Sequence, residues 1–228
     1  MDSGSIAWML MSSALVLLMT PGVAFFYGGL VRRKNVVSTI MYSFISVGVV
    51  SVVWVLWGYS LAFGEGGSAY IGTLNNFALS GVDTPDAQIF AVFQMMFAII
   101  TPALITGAFC ERFKFKTYLV FLVLWVTFVY APIAHWVWDG NGWLFELGAL
   151  DFAGGAVVHI NAGIAAIAAA ALLGNRRNIG KGVKAHNVPF VILGASLLWF
   201  GWFGFNAGSG LAADGLAISA FLVTNTCA

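Results

Sequence analysis

The chain has 228 residues, of which 61% are hydrophobic and 8% charged, and its mean hydropathy is +0.93. A soluble domain needs about 25% charged residues to cover its surface, so the composition excludes a soluble globular protein and leaves the membrane class. The formal net charge of +1 conceals a strong asymmetry along the chain.

The N-terminus, MDSGSIAWMLMSS, lacks a basic leader region and carries Asp2. It reads as the start of a retained membrane helix rather than a cleaved signal peptide. Apolar runs of about 20 residues, enough to cross a bilayer, follow in order: roughly Ile6–Leu30, Val36–Phe63, Ile89–Cys110, Thr117–Val137, Phe152–Leu173 and Val188–Gly208. A seventh begins near Gly215 and reaches Ala228. The expected fold is all-α and integral to the membrane: six complete spans and part of a seventh, with no soluble domain.

All ten Lys and Arg residues fall in alternate loops. Arg32, Arg33 and Lys34 follow the first span, Arg112, Lys114 and Lys116 the third, and Arg176, Arg177, Lys181 and Lys184 the fifth. Of the nine acids, Asp2, Glu65, Asp83, Asp86, Asp139, Glu146, Asp151 and Asp214 lie on the opposite side, and Glu111 alone joins the bases. The positive-inside rule then puts the N-terminus outside and the basic loops in the cytoplasm of a multi-pass protein of the cell membrane. Runs such as VRRKN are topology determinants, and no nucleic-acid partner is expected. The loop from Gly64 to Gln88, rich in Gly, Ser, Asn and Asp, is the longest connection and reads as external. Cys110 and Cys227 have no metal spacing and read as small packing residues. No metal or cofactor is expected.

The fifth run contains DFAGGAVVHINAG. His159 lies eight residues past Asp151, roughly 12 Å along a helix at 1.5 Å per residue, which is near mid-bilayer. A buried imidazole favours its uncharged form, with one nitrogen donating and one accepting. It either bonds a neighbouring helix or lines a path for a small polar molecule, and an ionisable residue at such depth points to function. The small residues around it predict close helix contacts and a central, buried fifth helix. Asp151 can cap that helix or draw cations to a vestibule. Phe90, Phe93 and Phe97 share one helical face, as lipid-facing, core or site residues. Gly201, Gly204 and Gly208 form a close-packing face in GWFGFNAGSG, with Phe205 and Ser209 on another. Trp138, in AHWVWDGNGW, is an interfacial anchor or a ring that holds a cation. His135 stands well above His159, too far for a bis-histidine haem site, and His186 lies in a basic loop.

TPGVAFFYGGLVRRKN, FQMMFAIITPALITGAFCERFKF, AHWVWDGNGW, DFAGGAVVHINAGIAAIAAAALLGNR and GWFGFNAGSG, in this order, together resemble the ammonium transporter family (Amt/Mep/Rh). The Amt branch fits better than the Rh branch, because both Trp138 and the Ser209 of NAGS are present. The resemblance implies substrate recruitment by Trp138, Phe93 and Ser209, a pore gate of Phe97 and Phe205, and a pore lined by His159. Asp151 takes a structural or electrostatic role. It implies a non-enzymatic transporter that draws ammonium to an outer site and conducts ammonia, with or without separate proton transfer. It further implies a homotrimer and a PII-type signalling protein docking on the cytoplasmic face. A transporter-derived ammonium sensor and an Rh-type dissolved-gas channel are the alternatives. Family members carry two inverted five-helix repeats and a final helix. These residues then represent the N-terminal portion of a longer chain: a first repeat at about 6–175 and the start of a second at about 188–228. The second pore histidine would lie beyond them, and the 228 residues alone are expected not to transport.

Overall fold

A computed structural model describes residues 1–176 and 184–227. Arg177 and Lys181 of the basic loop after the fifth span lie outside the described residues. Among the described residues, six helices are long and apolar enough to cross a membrane: Ser3–Leu30, Arg33–Phe63, Pro85–Phe109, Phe115–Glu146, Gly155–Leu173 and Val188–Gly208. They are called the first to sixth spans. A shorter apolar helix, Gly215–Cys227, follows. These bounds lie within a few residues of the expected ones, except that the fourth span turns at Asp139–Gly142 before the short helix Trp143–Glu146.

The first and sixth spans run antiparallel in contact over their whole length. Glycines make this possible. A Cβ on Gly201 would lie 2.5 Å from the carbonyl oxygen of Leu15, one on Gly204 2.6 Å from the Leu15 Cβ, and one on Gly208 2.6 Å from the Ser12 Cβ. The close-packing face expected of the sixth span is therefore real, and its partner is the first span. In lipid, such backbone approach replaces the hydrophobic drive between helices.

The third span is the hub of the bundle. Ile99, Ile100, Ala103 and Ile105 are all buried to within 1% exposure. Three spans widen locally into π-helical turns, at Trp54–Gly58, Val126–Tyr130 and Gly155–Ile160. The first two face each other: Trp57 Nε1 donates to Thr127 Oγ1 at 2.8 Å. The long acidic-side loop folds back on the fourth span. His135 is 1% exposed, and its ring nitrogens lie 2.8 Å from the carbonyl oxygens of Ala62 and Ser68. Trp136 Nε1 donates to Tyr70 O at 2.7 Å. His135 is thus a staple for this loop, and His186 is exposed.

At the basic end, Glu111 gathers the loops. Arg32 donates to its carboxylate through Nε and Nη2, both at 3.0 Å, and Asn35 Nδ2 at 2.6 Å. Arg176 Nη1 approaches at 3.5 Å. The lone acid on the basic side therefore ties the ends of the first, second, third and fifth spans. Arg112 adds a bond to Gly174 O at 2.6 Å. Burial pushes the Glu111 carboxyl up, but the bonds from Arg32 and Asn35 outweigh it and hold the group below its usual value.

The close contact predicts that Gly201→Val destabilises the purified protein by about 3 kcal/mol through overpacking. Gly48→Ala, where a Cβ meets nothing within 4 Å, leaves its thermal midpoint in detergent unchanged or raises it. The Glu111 knot has a pH signature. A carboxyl depressed on folding contributes stability that is complete above its unfolded value, here near 4.5, and lost as pH falls through the folded value. Thermal midpoints measured down this range should fall more steeply for the wild type than for Glu111→Gln, and parallel curves would refute the assignment.

Candidate functional site

The acidic residue before the fifth span organises the site. Asp151 Oδ1 accepts from the backbone N–H groups of Gly154 (2.6 Å) and Gly155 (2.7 Å), and Oδ2 from those of Ala156 (2.8 Å) and Val157 (2.9 Å). One carboxylate thereby satisfies four donors that a helix start leaves open, and its charge opposes the helix dipole. Gly154, at φ 98°, makes the left-handed turn that lets the chain curl over the carboxylate. A Cβ there would also lie 2.7 Å from the Val158 Cγ2.

This cap corrects the expected geometry of the fifth span. The helix begins at Gly155, not Phe152, because residues 151–154 form the capping turn. His159 is consequently four residues inside the helix, within its opening π-helical turn, and remains eight residues past Asp151. A second correction concerns burial. The fifth span packs on the third with one side, but Ile160, Gly163, Ile164, Ile167 and His159 itself are exposed. A Cβ on Gly163 would meet nothing within 4 Å. Among the described residues, the expected burial of this helix is therefore met on one side only.

The cap also fixes a ring. Trp138 Nε1 donates to Asp151 O at 2.9 Å, which holds the indole edge-on to Phe97 with centroids 5.8 Å apart. Phe93 lies 4.9 Å from Phe97. These three rings line a cavity of about 120 Å³ at the acidic end, together with Phe90, Gln94, Phe152, Ser209 and Leu211. The expected trio of Trp138, Phe93 and Ser209 is thus brought together from three spans. Ser209 caps the sixth span and its Oγ donates to Phe205 O at 2.8 Å. With its proton committed, the hydroxyl offers the cavity only lone pairs.

Beneath the cavity, Phe97 and Phe205 stack with centroids 4.3 Å apart at 34°, each 1% exposed. On the far side of this pair a second cavity, of about 250 Å³, is lined almost wholly by apolar side chains and by His159. The imidazole lies 5.8 Å from Phe205 and 6.0 Å from Trp202, centroid to centroid. Phe97 thus lines the first compartment and Phe205 the second, and the paired rings stand between them. Sequence reasoning missed Gln94, Phe152, Leu211 and Trp202. Gln94 carried a signal, being a polar amide in an apolar run. Trp202 carried a weaker one, three residues before Phe205 on the same helix. Phe152 and Leu211 lie in non-helical turns and carried none.

The apolar spans thus form a multi-pass membrane bundle that brings together an aromatic and hydroxyl cavity, a phenyl stack and a second cavity beside a histidine. Residues 7–228 match the model of the Ammonium Transporter Family. The chain belongs to that family. It is 53% identical to ammonium transporter Amt1 of Archaeoglobus fulgidus over 100% of this chain and 58% of the relative. It is 52% identical to an ammonium transporter of Bacillus subtilis at the same coverages. The crystal structure of Candida albicans Mep2 superposes with a TM-score of 0.93 at 41% identity, over 99% of this chain and 52% of that one. A structure described as a sensor Amt protein superposes with 0.91 at 32%, over 97% and 58%. The chain thus spans 58% of the length of these curated relatives.

Removal of the cap should be costly. Asp151→Ala leaves four N–H groups without acceptor and is expected to lower stability by about 2 kcal/mol, read as a lower thermal midpoint in detergent. Indole fluorescence should shift as Trp138 loses its anchor. A variant with wild-type stability would show that the carboxylate does not hold the turn.

Proposed function

We propose that the full-length protein takes up ammonium across the cell membrane, with the acidic end outside and the basic loops in the cytoplasm. Trp138, Phe93 and Ser209 recruit the cation at the outer cavity. Aromatic faces attract it electrostatically, and the Ser209 oxygen accepts one of its N–H bonds. Phe97 and Phe205 close the cavity below and exclude water. Burying an unpaired charge in an apolar chamber is prohibitive, so the cation sheds a proton and ammonia passes. His159 then offers a neutral hydrogen-bonding edge in a chamber that otherwise has few. Potassium carries no proton to lose and stays outside. Asp151 acts by holding Trp138 and the helix start, and its negative charge favours cations nearby. The assembly is a homotrimer with one pore in each subunit, and a PII-type protein docks on the basic face.

The observation that carries this reading is the Phe97–Phe205 stack, which separates an aromatic, lone-pair-bearing cavity from an apolar one beside an imidazole. One observation favours a second reading. The similarity to a sensor Amt protein fits a receptor that binds ammonium with little flux, built on the same outer cavity.

Flux decides between them. In cells lacking their own ammonium uptake, the full-length protein should restore growth on limiting ammonium and accumulate labelled methylammonium but not rubidium. His159→Ala should lower the initial rate by about tenfold or more, the loss of one hydrogen bond along the path. Binding without uptake would support the sensor, and rubidium accumulation would refute the proton-loss barrier.

A further inference from the structure

Gln94 stands between Phe93 and Phe97 in the third span, and its side chain lines the same 120 Å³ cavity. It is 8% exposed, and its Oε1 has no hydrogen-bond partner. A carboxamide shut away from solvent without a partner for its oxygen is unfavourable, and most such groups serve a structural bond. Here the described residues provide none to that atom. The amide's two ends exchange places by a half-turn about the last side-chain bond, so the unpartnered oxygen is free to take either end of a group that lines the cavity.

An ammonium-class cation has four tetrahedral N–H directions. The rings of Phe93, Phe97 and Trp138 supply attraction with loose direction, and Ser209 Oγ supplies one oriented lone pair. A cation leaving water for so small a cavity needs a second oriented acceptor to replace its lost hydration. We propose that Gln94 is a further cation-binding residue of this cavity, whose carboxamide oxygen accepts an N–H bond of the ammonium-class ligand opposite Ser209. The inference rests on reading the cavity as the recruitment site.

The test measures initial uptake of methylammonium by the full-length protein, normalised to the amount in the membrane. Gln94→Met keeps length and removes both polar ends. It should raise KM about tenfold, as expected for a hydrogen bond to a charged partner, with the loss carried mainly by KM. Gln94→Glu keeps an oxygen and should restore KM to within about threefold of wild type or below it. A Met variant whose KM does not move, whether or not its maximal rate falls, overturns the proposal. Should the Met variant fail to reach the membrane, a raised KM in the Glu variant overturns it and a restored one supports it. Wild-type protein without uptake would sink the transport reading as a whole. Wild-type uptake with an unmoved KM sinks the role of Gln94 alone.

Discussion

The site depends on one carboxylate that answers four backbone N–H groups. In an apolar environment an unsatisfied donor costs several kcal/mol, so a helix starting inside the bundle needs an acceptor on hand. Asp151 supplies both oxygens to Gly154, Gly155, Ala156 and Val157. The consequences propagate from there. The chain must curl through Gly154, the helix starts three residues late, and the Asp151 carbonyl is turned outward. That carbonyl then takes the Trp138 N–H. The indole is thereby fixed against Phe97, and the imidazole of His159 against Phe205. A single cap thus sets where the histidine's helix begins and holds one wall of the aromatic cavity.

The spans that carry the rings are held by different devices. Phe205 and Ser209 belong to the sixth span, locked to the first by glycine contacts that leave no room for sliding. Phe93 and Phe97 belong to the third span, whose neighbours bury it on most sides. Trp138 ends the fourth span, which His135 pins to the Ala62 and Ser68 carbonyls. The opposed π turns at Trp54–Gly58 and Val126–Tyr130 help here. A π turn frees backbone geometry locally, and Trp57 reaches Thr127 across it. The rings meet because rigid elements bring them together, which suits a cavity that must keep its shape.

Much of this was legible in the sequence. Alternation of charge fixed the number of spans, because one missed helix would have placed bases and acids on the same side. Glycine spacing exposed the packing face of the sixth span. The cap at Asp151 was readable as a cap, but its reach was not. Nothing in DFAGG says that the helix waits until Gly155, since that follows from the left-handed turn at Gly154 and the two-sided use of the carboxylate. The small-residue face of the fifth helix is left open among the described residues, which belong to a chain spanning 58% of its relatives' length. The loose aromatic pattern Phe90, Phe93 and Phe97 was ambiguous until Trp138 and Phe205 arrived from distant parts of the chain, a matter of tertiary geometry.

The stack and the cavity above it divide the labour of selection. Phe rings and the lone pairs of Ser209 attract any small cation, since a ring quadrupole responds to charge and not to identity. Affinity at this level therefore cannot separate ammonium from potassium strongly. On the proposed reading, discrimination arises where the charge itself becomes impossible to carry, and the place assigned to it is the Phe97–Phe205 pair: two fully buried rings 4.3 Å apart, with an apolar chamber beyond. A barrier of this kind rejects a fixed charge by desolvation and admits whatever can shed its charge on the near side. In that proposal the imidazole matters only after that step, when a neutral molecule needs a polar edge in a chamber built mostly of Leu, Ile, Val and aromatic walls. Capture can then be permissive, because passage is strict.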